Sequence, residues 1–297
     1  MRILLTGAQG MLGQDVLRIL GPSHHVVGVD QDEADITDLS AICTLIQDVR
    51  PELVLHAAAF TEVDRAESCP EVARRVNALG TLHVCIGALQ VEAAVAYIST
   101  DYVFDGTKGE PYVETDRPNP LSVYGSTKYA GERVVQSMFR NYYIFRTSWL
   151  FASHGKNFVN TISRLAREKG ELAVVDDQVG TPTYSCDLAH AINTILAHGA
   201  PGLYHVANAE PCSWFEFAGA ILAQQGIEAK LEPTTTARFR RPAPRPACSA
   251  LATPRLHNEL GYDMRSWREA LADCLAIKKT MARPNPTHPR ATVASGG

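Results

Sequence analysis

The first thirteen residues constrain this chain most. Arg2-Ile-Leu-Leu-Thr6 reads as a buried strand and runs without a break into Gly7-Ala-Gln-Gly10-Met-Leu-Gly13. Each glycine at such a junction has its own use. The first permits a tight turn, the second removes a side chain that would hold backbone away from a pyrophosphate, and the third lets the next helix pack on the sheet. A helix starting at residue 11 then turns its unsatisfied N–H groups toward the anion. A glycine triplet alone is a weak signal, and G-x-x-G-x-x-G is one residue longer than the commonest dinucleotide fingerprint. Its context strengthens it. A second apolar strand, Val26-Val-Gly-Val29, ends in Asp30, where a carboxylate binds the hydroxyls of an adenosine ribose; the plainer reading is a turn residue at a strand end.

Strand and helix patterns keep alternating after this unit: strand 25–29, helix 38–48, strand 53–56, helix 71–90, strand 94–99, helix 120–139 and strand 142–146. That rhythm predicts an α/β fold, a Rossmann-like doubly wound parallel sheet with right-handed crossovers. Past residue 150 the regularity loosens into helices near 156–169, 186–198, 213–226 and 266–278 and strands near 172–176 and 203–206. The expected division is a dinucleotide-binding domain of residues 1–152 plus about 184–206, and a smaller substrate-binding lobe of about 153–183 and 207–278. Residues 279–297 are rich in Pro, Ser, Thr and Gly without apolar periodicity, and are expected to be a disordered tail.

Composition excludes several classes. A formal charge of −4 argues against a nucleic-acid partner, and the basic residues Arg238, Arg240, Arg241 and Arg245 cluster only in a proline-rich loop. No stretch approaches the roughly twenty apolar residues of a membrane span, and the start does not read as a signal peptide, so a cytoplasmic protein without a membrane partner is expected. The seven cysteines are scattered without a C-x-x-C and read as reduced thiols. Asp187 with His190 is the nearest approach to a metal pattern and lacks further ligands, so no metal is expected.

The reactive chemistry is written in Tyr124-Gly-Ser-Thr-Lys128, which sets a phenol and an ammonium four residues apart on one helical face. A phenol titrates at about pH 10, so proton exchange near neutrality needs a shift of roughly three units, about 4 kcal/mol. Burial pushes the wrong way. A fixed cation about 4 Å away is worth about 4 kcal/mol at an effective dielectric near 20, so Lys128 is expected to lower the Tyr124 pKa. By itself the pair also describes a tyrosine at the core's edge beside a solvated lysine. Two strand ends add to it. His56-Ala-Ala-Ala-Phe-Thr61 offers small side chains over which a ring or ribose can approach backbone, or else tight helix–sheet packing. Ser99-Thr100-Asp101-Tyr102 places a hydroxyl at the same edge, able to hold a carbonyl oxygen.

Together these residues resemble the extended short-chain dehydrogenase/reductase family, whose signature is a G-x-x-G-x-x-G loop, a Ser/Thr at a strand end and Y-x-x-x-K; the likeness covers residues 1 to about 278. Within it the chain is most similar to the dTDP-4-dehydrorhamnose reductases. That likeness is carried by Asp35-Ile-Thr-Asp38, Ala58-Ala-Phe-Thr-Glu-Val-Asp64, Ser99-Thr-Asp-Tyr-Val-Phe-Asp-Gly106, Glu114-Thr-Asp116, Pro120-Leu-Ser-Val-Tyr-Gly125, Arg146-Thr-Ser-Trp149, Asp177-Gln-Val-Gly-Thr-Pro182 and Arg241-Pro-Ala-Pro-Arg-Pro246. The resemblance implies hydride transfer from NADPH or NADH to the 4-keto group of a dTDP-linked 4-keto-6-deoxysugar, dTDP-6-deoxy-L-lyxo-4-hexulose, giving dTDP-L-rhamnose. Tyr124 would protonate the nascent alkoxide, Lys128 would lower its pKa and hold the nicotinamide ribose, and Thr100 would hydrogen-bond the keto oxygen.

By the same resemblance the cofactor would touch Gly7, Gln9, Gly10, Met11, Leu12, Gly13, Asp30, Asp35, Ile36, Ala57, Ala58, Ala59, Thr61, Asn77, Tyr124 and Lys128. The sugar nucleotide would touch Thr100, Tyr102, Val103, Trp149, Asn157 and Arg245. Arg245 is supported by the fit of a guanidinium to phosphate oxygens, against the alternative of a solvated loop arginine. Trp149 is open to plain core filling. Asp30 repels a 2′-phosphate and favours NADH, whereas the resemblance implies use of both cofactors. A sugar-nucleotide 4,6-dehydratase would carry Asp-Glu directly after the threonine; this chain has Asp101-Tyr102 and lacks that base. An epimerase stays open, as does a non-catalytic NADP-binding regulator similar to the regulatory subunit of methionine adenosyltransferase, although intact Thr100, Tyr124 and Lys128 speak against the latter. Some relatives dimerise through a magnesium site near Asp15 and Ser185-Cys186, of which only the first is acidic here. A metal-bridged dimer is therefore not expected, and monomer and homodimer stay open.

Overall fold

The computed structural model describes residues 1–281; the remainder of the anticipated tail lies outside the described residues. Its first half runs β1 (Arg2–Thr6), α1 (Met11–Leu20), β2 (His25–Val29), α2 (Leu39–Val49), β3 (Leu53–His56), α3 (Val63–Ser68), α4 (Pro70–Arg74), a π-helical turn (Arg75–Gly80), α5 (Thr81–Gln90), β4 (Ala94–Thr100), a short 3-10 turn (Asp101–Val103), α6 (Val123–Met138) and β5 (Tyr142–Thr147). The second half runs β6 (Leu150–Phe151), α7 (Phe158–Lys169), β7 (Glu171–Val175), β8 (Val179–Gly180), β9 (Thr183–Tyr184), α8 (Ser185–His198), β10 (Gly202–His205), β11 (Cys212–Ser213), α9 (Trp214–Gln225), β12 (Lys230–Thr234), α10 (Pro254–Leu260) and α11 (Trp267–Met281).

Six strands form one parallel sheet in the order β10-β5-β4-β3-β1-β2. Burial on both faces explains their continuous apolar runs. Ile3 and Leu5 point into the core beneath α1 and α8, while Leu4 points to the opposite core with Ile42, Val84 and Val95. A third core, built on Phe151, Tyr184, Phe217 and Trp267, belongs to the later elements. Residues 254–264 do not stay with it, because Leu256 and Met264 pack into the core beneath α1 and α8. Strand order reverses between β1 and β3, which is where ligands bind in open sheets of this kind. Register aligns Thr6 with His56 and Thr100 with Thr147, so these side chains share the carboxyl edge.

Local sequence explains most helix boundaries. Asp38 caps α2 by accepting from Ala41 N at 3.1 Å, and Ser122 caps α6 by accepting from Gly125 N at 3.1 Å. Pro118 and Pro120 lie just ahead of that cap, so α6 begins later than the expected residue 120. The expected helix 71–90 is divided by the π-helical turn at Arg75–Gly80 and preceded by α3, too short for periodicity to mark. The last helix runs to Met281, past the expected 278. β12 and α10 lie in a stretch read as loop; β12 carries Pro233 and exists as a parallel partner of β7, a tertiary pairing that overrides local preference. Among the described residues no helix is long and apolar enough to cross a membrane.

Candidate active site

A cleft of about 930 Å³ opens at the carboxyl edge where the strand order reverses. The loop from Gly7 to Gly13 forms one wall. Gly7 has φ +75°, a conformation that suits a residue without Cβ, and a Cβ on it would lie 2.7 Å from Ala58 N. A Cβ on Gly13 would lie 2.2 Å from Gly7 O, so only glycine lets α1 begin this close to the turn. Asp30 stands at the end of β2 and fastens the loop, accepting from Gln9 N at 3.0 Å and Gln31 N at 2.9 Å. Asp35 and Ile36 line the same end of the cleft. Thr37 N donates to Asp35 Oδ1 at 2.8 Å, and this bond is the main cause holding that carboxyl below its ordinary value.

Ala57, Ala58, Ala59 and Thr61 form the next wall, and a buried network fixes their backbone. Thr81 Oγ1 spends its hydrogen on Asn77 O at 2.7 Å, so His56 Nε2, 3.1 Å away, carries the ring hydrogen and donates to it. His56 Nδ1 therefore accepts from Thr6 Oγ1 at 2.8 Å. Full burial, with Lys128 adding to it, pushes His56 down to about 3, so the ring is neutral.

Thr100, Tyr124 and Lys128 all line the cleft that the glycine loop borders. β4 delivers Thr100; α6 delivers the other two, one turn apart. Lys128 is 3 % exposed, donates to Ile98 O at 2.6 Å and stands 4.1 Å over the Tyr97 ring. Its electrostatic role differs from expectation. Burial pushes the Tyr124 phenol up to about 12, a hydrogen bond with Thr100 draws it back only in part, and Lys128 is not among the influences on it. The lysine itself is lowered by burial to about 7, against the pull of Glu132. Desolvation dominates both values, and neither group appears among the causes acting on the other. Glu132 in turn is held by Arg146, with Nη2 to Oε2 at 2.7 Å, and by Ser99 Oγ at 2.5 Å.

Asn77, Tyr102, Val103 and Asn157, four of the anticipated contacts, do not line the main cleft. Asn77 is fully buried and clamps Phe60, accepting from its N at 2.8 Å and donating to its O at 3.1 Å. Val103 is fully buried in a core with Phe104, Tyr112 and Leu251. Asn157 caps α7 and spends its amide on Ala152 O and His154 O, because the chain needs that donor to close the turn before the helix. Tyr102 packs edge-on against Tyr124, ring centroids 5.9 Å apart, without lining the main cleft. Arg245 lines an adjoining hollow of about 380 Å³ with Asp64, to which it is paired at 3.0 Å. Lys156 lines both spaces. Trp149 lines the cleft at φ +46° and stacks on Trp214, centroids 3.5 Å apart.

The donor set fits a dinucleotide. The glycine loop lies against the cleft with its backbone packed too tightly at Gly7 and Gly13 for any Cβ, and Thr147 Oγ1 is buried in the cleft wall without a hydrogen-bond partner. The model of the RmlD substrate binding domain family matches residues 1–280. The chain belongs to the RmlD substrate binding domain family. Spore coat polysaccharide biosynthesis protein SpsK of Bacillus subtilis is 38% identical over 275 residues, covering 92% of this chain and 96% of that protein. The dTDP-4-dehydrorhamnose reductase of Burkholderia thailandensis is 37% identical over 292 residues, covering 93% and 98%. A crystal structure of dTDP-4-dehydrorhamnose reductase from Bacillus anthracis in complex with NADP superposes with a TM-score of 0.89 at 39% identity, covering 93% of this chain and 99% of that one.

Several cleft residues of this RmlD-family chain were not anticipated: Phe60, Arg75, Asp101, Thr147 and Lys156. Asp101 and Thr147 directly adjoin motif or strand-end positions, so a reading of the whole carboxyl edge would have reached them. Lys156 arrives from a loop that carries no local signal. Where some relatives are expected to bind magnesium, Asp15 is bonded by Ser185 Oγ and by Arg18 at 2.8 Å. Among the described residues no cluster of three metal-binding side chains occurs.

Proposed function

We infer that this chain is a dTDP-4-dehydrorhamnose reductase, an NAD(P)-dependent oxidoreductase that reduces the 4-keto group of dTDP-6-deoxy-L-lyxo-4-hexulose to give dTDP-L-rhamnose. One observation carries the reading: in a chain that matches the family over nearly its whole length, Thr100, Tyr124 and Lys128 meet in the cleft that the glycine loop opens. NADPH or NADH supplies the hydride when bound. Residues 1–152 with about 184–206 hold that cofactor, and about 153–183 with 207–278 hold the sugar. The reaction is proposed to run in the cytoplasm.

The chain's own groups handle the proton and the positions. Gly7, Gly10 and Gly13, with the start of α1, receive the pyrophosphate. Asp30 binds ribose hydroxyls. Thr100 directs its hydroxyl at the keto oxygen, so negative charge growing there meets a fixed dipole instead of reorganising water. Tyr124 gives its phenolic proton to the same oxygen. A phenol pushed up to about 12 is a firm reservoir of that proton but a reluctant donor, so stabilisation of the phenolate must come with the bound complex. Lys128, already in the cleft, is the group placed to supply it. Trp149 offers an apolar face to the deoxysugar, and Arg245 with Lys156 offers cations to the diphosphate.

The direct test follows loss of reduced nicotinamide when purified protein receives the dTDP-4-keto-6-deoxysugar, with identification of the product as dTDP-L-rhamnose. Cofactor binding without turnover would return the chain to the regulator class.

A further inference from the structure

Asp101 lies in the cleft and has no part in the chemistry assigned so far. It is 2 % exposed and directly follows the strand-end threonine. Ser249 Oγ donates to its Oδ2 at 2.5 Å, and Thr100 Oγ1 stands 3.1 Å from its Oδ1. Tyr102 from the same turn and Tyr124 from α6 stand close enough to feel its charge, Arg245 lies beyond Tyr102, and Lys128 lines the same cleft. Burial dominates the carboxyl and pushes it up to about 7, with Ser249 and Thr100 offsetting only part of that.

Thr100 has a single hydroxyl hydrogen and two lone pairs. One lone pair accepts from Tyr102 N at 3.2 Å. An ionised Asp101 offers acceptors only, so the threonine's hydrogen turns to it and none is left for the substrate. A protonated Asp101 reverses that bond. It fills the second lone pair of Thr100 and leaves the hydrogen free.

We propose that Asp101 is a positioning residue that, by donating its own hydrogen to Thr100 Oγ1, turns the threonine's only hydrogen toward Tyr124 and the substrate's keto oxygen. The proposal rests on the reductase reading above. It explains how one hydroxyl serves both as acceptor from the 3-10 turn and as donor to the growing charge.

The test measures kcat across the neutral range with NADPH and the dTDP-4-keto-6-deoxysugar. Wild type should lose kcat as pH rises through about 7. Asp101→Asn, whose amide donates to Thr100 while its oxygen accepts from Ser249, should keep kcat within about threefold of the low-pH wild-type value and lack that fall. Ser249→Ala removes a donor to the carboxylate and should move the fall to higher pH. A fall that stays in place in both variants belongs to another group, such as Lys128, and overturns the proposal. So does an Asp101→Asn enzyme that binds cofactor normally but turns over about a hundredfold more slowly at every pH. Where Asp101→Asn does not fold, Ser249→Ala decides alone. Absence of turnover in wild type at every pH instead sinks the reductase reading, and this inference with it.

Discussion

Tyr124 is half-buried and Lys128 buried, and desolvation of each makes its role measurable. Tyr124→Phe should bind NADPH as wild type does yet turn over at least about a hundredfold more slowly, the usual loss for a missing general acid. Equal rates in the two proteins would remove the phenol from the mechanism. Lys128 gives a stability signature. Folding takes it from 10.5 down to about 7. Between those values the unfolded chain holds the extra proton, so this group makes the folded state more stable as pH rises through that window. Denaturant titrations of the cofactor-free protein at about pH 7 and about pH 9 should show that gain, and Lys128→Met should show less of it. Asp30 bears on cofactor choice. Its carboxylate repels a 2′-phosphate, so Asp30→Ala should raise the NADPH-to-NADH ratio of kcat/KM by roughly tenfold, the effect of about 1.4 kcal/mol.

At the scale of elements, the π-helical turn at Arg75–Gly80 connects packing to the site. It seats Asn77 against Phe60, in the middle of the wall formed by residues 57–61. Asn77→Ala leaves both backbone groups of Phe60 without their buried partner, which costs about 1–3 kcal/mol per group. It should lower the thermal midpoint and raise KM for the cofactor more than it lowers kcat. A loss confined to kcat would contradict this. The same turn marks what the sequence could tell. Most strands and helices of 1–147 were legible because the strands are continuous apolar runs and the helices carry an apolar period, and Gly7, Tyr124 and Lys128 because their spacing is a chemical requirement. The π-helical turn, β12 and α10 were not, since they depend on partners distant in sequence. Asn77, Asn157 and Val103 show the limit for site residues. Each sits within two residues of a cleft position in sequence while its side chain is spent on packing or capping. The direction of the Tyr124 shift was missed for a related reason: spacing supplies the attraction of a charge pair, and only burial supplies the opposing desolvation.

For the whole molecule, the cleft borders elements from both halves of the chain: the glycine loop from the first, Gly155 and Lys156 from the second. A ligand that fills it should stabilise the fold as a unit. NADPH and NADH, each at about a hundred times its dissociation constant, should each add about 2.7 kcal/mol to unfolding, read as a rise in thermal midpoint. A rise with only one cofactor would narrow the assignment to that one. The three tryptophans fall at 149, 214 and 267, all beyond the last strand of the first half. Trp149 and Trp214 lie face to face beside the cleft, and Trp267 is sealed in the core of the later elements. Indole emission is thus a built-in optical label for one half of the enzyme, and a docked nicotinamide close to the paired rings should dim it without any dye.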